Sequence, residues 1–375
     1  MVKKIVIASD SFKGTLPSRD ICRIASHIIP EFFPECEVFG LPAADGGEGT
    51  VDCFLQMGAE AVRTTVTGPL CKEVEAVYAR LGDTAVIEMS AAAGLPLAGE
   101  EKDPEKTTTY GVGEMIKHAA ESGCRKILLG LGGSATNDAG CGMASALGAV
   151  FFDRTGRSFV PAGGSLCDID KVFLDDIKRF LKGIDVTAMC DVTNPLYGKN
   201  GAAYIYGPQK GADRDSVVRL DKGLRHIAAV MKDMTGEDIS ACPGSGAAGG
   251  LGAGCRWFLN AELKPGTEAV LDAVSFDDAI DGADYVITGE GRLDSQSLSG
   301  KLISGVYSRA SKKEVPVVAV AGCVKKGDEA LFDFFKAVYL TSPDPAPFNE
   351  LKRNAEVNYI KALRRFCEDV KGGKV

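Results

Sequence analysis

Residues 126–150 read KILLGLGGSATNDAGCGMASALGAV, a stretch that passes from strand to helix with only small and polar residues between. Residues 127–131 form an apolar run of buried-strand length. Gly132, Gly133 and Ser134 follow; glycine lacks the Cβ that would keep a ligand off the backbone, and it tolerates unusual φ/ψ. Asn137 and Asp138 come next, and either can cap the helix expected over the Ala- and Gly-rich segment that ends at Ala149. A strand that feeds a helix N-terminus through glycines makes an anion site, because free N–H groups and the helix dipole both favour phosphate. An ordinary βα turn has the same local sequence, so the reading depends on whether comparable stretches recur.

They recur on both sides. Residues 3–8 are a buried strand that runs into Ser9, Asp10, Ser11, Phe12, Lys13 and Gly14, with a helix expected over 18–29. Asp10 and Lys13 therefore sit where a parallel strand opens into a crevice, which is where α/β sheets keep their ligands. A second strand, 37–41, leads through Asp45, Gly46, Gly47, Glu48 and Gly49 to a helix over 50–57. Acids flanking glycines suit a magnesium ion or a hydroxyl group, since hard cations want oxygen ligands. Asp191 directly follows the β-prone run 185–190. Farther on, the strand expected over 285–288 ends in Thr288, Gly289, Glu290, Gly291, Arg292, Leu293 and Asp294. Here Glu290 and Asp294 can hold a metal or a hydroxyl, and the planar guanidinium of Arg292 can grip a carboxylate in bidentate fashion.

Strand-helix alternation is interrupted once. Residues 62–66, 74–80 and 85–89 read as successive antiparallel strands, with Gly82 and Asp83 in a hairpin turn. An inserted domain is therefore expected over 68–275, within a host domain of residues 1–67 and 276–375 where alternation resumes. In the insertion, a helix is expected over 111–122. Another is expected over 214–234, with Val217, Leu220, Leu224, Ile227 and Met231 on one face. Residues 198–211 read as a loop or irregular strand. GSGAAG at 244–249 matches a dinucleotide fingerprint in letters only, because Ala241, Cys242 and Pro243 before it do not make the required strand. A flexible or helix-packing glycine run is the better reading.

Composition narrows the classes. The chain has 375 residues, 45% hydrophobic and 25% charged, as expected of an ordinary globular protein with room for two domains. A net charge of −8 argues against a nucleic-acid binder, so small anions must be caught locally. The 12 cysteines form no CxxC pair, which fits thiols in a reducing cytoplasm rather than a zinc cluster or disulfide framework. No apolar run approaches the ~18 residues of a membrane span. The three histidines, His27, His118 and His226, all fall in helical segments, and GGSATN is not the GxSxG elbow of a serine nucleophile.

SDSFKG (9–14), PAADGGEGT (42–50), GLGGSATNDAG (130–140), CDVTNPL (190–196), PGSGAAGGLGAG (243–254) and TGEGRLDSQS (288–297) together resemble, in order and over nearly the whole chain, the motif series of the type 1 bacterial glycerate kinase family. The resemblance implies phosphoryl transfer from ATP to D-glycerate with magnesium, in the best-known members giving 2-phosphoglycerate. It also implies a two-domain α/β fold: a flavodoxin-like domain with an inserted second α/β domain likened to restriction enzymes, and the active site in the cleft between them.

Phosphoryl transfer needs cations, N–H groups and a positioned acid more than covalent chemistry, and each has a candidate. Lys13 is assigned to the transferring phosphate, and Gly132, Gly133, Ser134, Asn137 and Asp138 to phosphate and nucleotide. Arg292, with Asp10, Ser11 and Asn194, is assigned to the substrate. Asp191 or Asp45 is the base, and Glu290 and Asp294 hold metal; exchanges of role among these four acids stay open. The rival expectations are a kinase of the same fold giving 3-phosphoglycerate or acting on another small hydroxy acid, and a non-catalytic sensor of a sugar-acid phosphate.

Overall fold

The structure is a computed structural model that describes residues 2–12, 14–44, 46–47, 49–56, 58–295, 297 and 302–375. Two compact units emerge, one formed by residues 1–45 and 267–375, the other by 46–266.

The first unit is built on five parallel strands in the order Glu37–Pro42, Lys4–Ser9, Tyr285–Thr288, Val317–Ala321, Ala337–Leu340. Numbered along the unit this is 2-1-3-4-5, the flavodoxin-like order. Both faces of the sheet are covered, which explains why its strands are continuously apolar rather than alternating. Ile5 and Ile7 enter one core with Ile21, Ile24, Leu363 and Phe366. These come from the helices Ser18–Phe32 and Phe348–Lys371. Val6 and Ala8 enter the other core with Leu271, Leu302, Ile303 and Val306. Each fully buried aliphatic side chain of this kind contributes about 1.5–3 kcal/mol.

The second unit carries a six-stranded sheet in the order Glu262–Lys264, Asp185–Met189, Lys126–Gly130, Thr84–Glu88, Glu73–Leu81, Glu60–Thr67. The first four strands are parallel; Glu73–Leu81 pairs antiparallel with Thr84–Glu88 through the hairpin read from Gly82 and Asp83, and Glu60–Thr67 pairs antiparallel with Glu73–Leu81. The helix Arg214–Thr235 buries all five residues of the apolar stripe read from its sequence. It starts at Asp213, whose side chain accepts from Ser216 N at 2.8 Å, and it stops at Gly236 with φ 77°. The glycine run after Gly244 does pack a helix, Ala247–Leu259. Unit 46–266 has its two ends in contact: a Cβ on Gly46 would lie 2.3 Å from the Cα of Gly266.

Several expectations need correction. Residues 60–67 cannot belong to the host domain, because that strand pairs with Glu73–Leu81 from Glu60↔Arg80 to Thr67↔Glu73. The first boundary accordingly falls at 45/46 instead of 67/68, and the second at 266/267 instead of 275/276, since Leu271 lies in the core of the first unit. The helix expected to run to Ala149 spans only Cys141–Ala146 and is followed by the strand Val150–Phe152. Residues 198–211 are helical in part, with the helix Ala202–Tyr206 and the 3-10 turn Pro208–Lys210. The stretch Glu329–Phe334, before the strand Ala337–Leu340, is a 3-10 helix. All twelve cysteines are free thiols, and among the described residues no helix is long and apolar enough to cross a membrane.

Candidate functional site

In unit 46–266 the strands Lys126–Gly130 and Asp185–Met189 lie side by side and parallel, with Gly130 opposite Met189. Their carboxyl ends open into a pocket of about 250 Å³ whose lining includes Gly132, Gly133, Ser134, Asp191, Tyr206 and Lys210. Four of the residues expected to act, Gly132, Gly133, Ser134 and Asp191, are thus brought together. The place is the one α/β sheets reserve for ligands.

Backbone geometry makes this pocket receptive to anions. Gly133 has φ 73°, a left-handed conformation that glycine adopts without a Cβ penalty. The carbonyl of Gly133 accepts from Leu95 N at 2.9 Å, and Ala135 N donates to Ala93 O at 2.9 Å, which anchors the turn from both sides. The amides of Gly132, Gly133 and Ser134 donate to no acceptor among the described residues. Gly132 and Gly133 are exposed. Unpaired N–H groups gathered on one turn form a concavity that favours negative charge. A six-residue helix farther on adds little dipole, so the receptive groups here are loop amides and not the helix N-terminus read from the sequence.

Behind the turn, Ser134 is almost fully buried. Its Oγ accepts from Thr136 N at 3.1 Å and donates to Ala248 O at 3.3 Å. Ala248 holds φ 51° and ψ 41°, strained for a residue with a Cβ, and the next two residues, Gly249 and Gly250, are left-handed as well. This bend lets the glycine run press against the loop: a Cβ on Gly249 would sit 1.9 Å from Thr136 O.

Lys210 was missed by the sequence reading. It is 2% exposed, yet it lines the pocket; its Nζ donates to Thr136 O at 2.7 Å and to Ser134 Oγ at 3.2 Å. Burial lowers its pKa to about 7, against the opposing charge of Asp138. Burial also raises the Cys190 thiol and the Tyr206 phenol, which keeps both protonated near neutral pH.

Asn137 and Asp138 do not line the pocket. Asp138 is fully buried, and its oxygens accept from Thr109 N and Thr109 Oγ1 at 2.8 Å, Gly140 N at 3.1 Å and Gly142 N at 3.3 Å. These bonds tie the loop to Thr109 and to Gly140 and Gly142, and desolvation raises the pKa of Asp138 despite the four donors. Asn137 is 1% exposed, and its Nδ2 has no acceptor among the described residues. Asn194 braces Tyr206 of the pocket lining: its Oδ1 accepts from Tyr206 OH at 2.7 Å and its Nδ2 donates to Asn200 O at 2.8 Å. Asp191 Oδ1 accepts from Gly266 N at 2.9 Å.

The first unit brings a second set together at the carboxyl ends of its own adjacent strands. Asp10 N donates to Gly289 O at 3.0 Å, which joins the turns after Ser9 and Thr288, and Ser11 N donates to Asp10 Oδ1 at 2.7 Å. Glu290 follows Gly289, and its carbonyl accepts from Gly322 N at 3.1 Å. Arg292 is exposed and pairs as a short strand with Cys323, while Asp294 N donates to Ser297 Oγ at 2.9 Å. Lys13, Asp45 and Glu48 lie outside the described residues.

Residues 5–371 match the glycerate kinase family. Among curated proteins, the chain is 46% identical to the glycerate 2-kinase of Escherichia coli (strain K12), with 97% of each chain covered. It is 42% identical to a glycerate kinase of Bacillus cereus (strain ATCC 10987 / NRS 248), with 95% of this chain and 94% of the relative covered. Among solved structures, a crystal structure from Salmonella typhimurium LT2, assigned as a glycerate kinase 2, superposes with a TM-score of 0.89 at 37% identity over 100% of both chains.

Proposed function

Because the chain belongs to the glycerate kinase family, we propose that it transfers the γ-phosphoryl group of ATP to D-glycerate and releases 2-phospho-D-glycerate. The observation that carries this reading is the turn Gly132–Ser134, whose amides have no acceptor among the described residues, at the mouth of a pocket that also holds a carboxylate, Asp191. A mere anion trap gains nothing from an acid beside its phosphate; a phosphoryl transferase needs one to receive the proton of the attacking hydroxyl. The 2-position follows the name of the Escherichia coli relative.

In this reading the amides of Gly132, Gly133 and Ser134 hold phosphate oxygens, and Asp191 or Asp45 takes the hydroxyl proton. Lys13 neutralises the transferring group. Arg292 grips the glycerate carboxylate, with Asp10, Ser11 and Asn194 as further substrate contacts. Magnesium when bound neutralises charge on the nucleotide phosphates. Among the described residues no group of three or more His, Cys, Asp or Glu could form a protein cage for a metal. That suits magnesium, which takes one or two carboxylates and fills its remaining positions with water and phosphate oxygens. Glu290 and Asp294, four residues apart in one strand-end turn, supply that donor set. Twelve free thiols suit the reducing cytoplasm as the place of action.

The test is direct: the protein is mixed with ATP, magnesium and D-glycerate, ADP is followed, and the product is assigned by NMR. ADP formation that depends on D-glycerate is expected, with phosphorus attached at C2. A rate no different without D-glycerate would refute the kinase reading, and attachment at C3 would refute the position.

A further inference from the structure

We infer that Lys210 is a phosphate-binding residue of the transfer reaction, an ammonium at the floor of the pocket that meets the charge of a nucleotide phosphate held by the Gly132–Ser134 amides. This rests on the kinase reading above and adds to it a residue from outside the family-like motifs quoted earlier.

The geometry singles Lys210 out. A lysine ammonium has three donors. Two are taken, by Thr136 O and Ser134 Oγ, and the third has no acceptor among the described residues. Nor does any carboxylate among the described residues form an ion pair with it. The opposite charge that acts on it is Asp138, whose oxygens are already engaged by four donors. Asp191, Cys190 and Tyr206 are the other titratable groups lining the pocket. Burying an ammonium without a counter-ion is costly, and such a group is kept where a ligand supplies the missing charge. The two acceptors that fix Nζ belong to Ser134 and Thr136, on the same loop as the receptive amides of Gly132, Gly133 and Ser134. The cation and the amides are therefore set at a fixed separation, which is what binding a phosphate at two points requires.

One consequence distinguishes this role from a structural one. With burial drawing Lys210 down to about 7, the empty pocket holds it largely neutral at pH 8. An anion beside it restores the charged form, so nucleotide binding takes up a proton. Affinity should then fall as pH rises above 7, by up to tenfold per pH unit.

The experiment is isothermal titration calorimetry of the full chain with ATP at pH 8, in two buffers of different ionisation enthalpy, beside steady-state kinetics over pH 6.5–9. Wild type is expected to take up close to one proton. Lys210→Met should remove that uptake, weaken ATP binding at least tenfold at pH 7 and flatten the rise of KM for ATP with pH. Lys210→Arg, which stays charged, should bind ATP without the uptake. Circular dichroism establishes that the variants are folded, and Lys210→Met should fold readily because it no longer buries an ammonium. If Lys210→Met keeps the wild-type KM for ATP, proton uptake and pH profile while turnover continues, the inference is overturned and the kinase reading stands. If wild type binds ATP with the expected uptake but forms no ADP with D-glycerate, the kinase reading fails and Lys210 remains a phosphate-binding residue.

Discussion

Replacing Asp138 with asparagine should destabilise the chain by about 3 kcal/mol, a figure that follows from the donors around the carboxylate. Oδ2 accepts from three of them, Thr109 N, Thr109 Oγ1 and Gly142 N, and Oδ1 accepts from Gly140 N. An asparagine keeps most bonds by placing its carbonyl where Oδ2 stood, which turns its NH2 toward the Gly140 amide. One bond to a charged group is then lost, worth about 1.5–3 kcal/mol, and a buried N–H is left unmet at a further cost of about 1–3 kcal/mol. Relief of the desolvation that raises this carboxyl offsets part of the loss. Asp138→Ala strands all four donors and should cost about 5 kcal/mol or more, in the range reserved for broken buried networks. Urea denaturation followed by circular dichroism measures both. A change below about 0.5 kcal/mol for asparagine would refute the reasoning, since a carboxylate that only waited for a ligand could lose its charge without unfolding anything.

Gly249→Ala should cost about 2–4 kcal/mol, combining the left-handed penalty with overpacking against Thr136 O, and should raise KM for ATP by displacing residues 134–136; an unchanged melting temperature with unchanged KM would show that loop to be slack. Tyr206→Phe removes the donor to Asn194 Oδ1 and should cost about 1 kcal/mol by the same denaturation assay. For Lys210 the folded value near 7 lies below the ordinary 10.5, so from pH 7 upward the unfolded chain binds more protons and stability rises with pH. Relative to Lys210→Met, wild type should gain about 2 kcal/mol between pH 7 and pH 9, and a falling difference would have the wrong sign.

How much of this was legible in the sequence depended on the range of the interactions. The helix Arg214–Thr235 could be read because its stripe, cap and terminal glycine are all local. The strands of the first unit could be read because burial on both faces leaves continuous apolar runs. That Gly132, Gly133, Ser134 and Asp191 line one pocket could be anticipated because strand ends followed by glycine or acid recur along the chain. Lys210 could not be found that way. It sits in a short 3-10 turn without periodicity, and the carbonyl that fixes its Nζ, Thr136 O, lies 74 residues earlier. The network around Asp138 was not legible because Thr109, which donates to it, lies 29 residues upstream. The boundary near Gly68 failed for a related reason: a hairpin announces its turn, but the strand Glu60–Thr67 reveals its allegiance only through the partner it pairs with.

The contact between Gly46 and Gly266 makes residues 46–266 a cassette with its exit beside its entrance. A segment whose termini already meet asks almost nothing of the polypeptide that receives it, because closing so short a span costs little chain entropy. Such a piece can be carried by a host loop without prying that loop apart, and a few added residues would suffice to seal it into a ring or to cut new termini elsewhere on its surface.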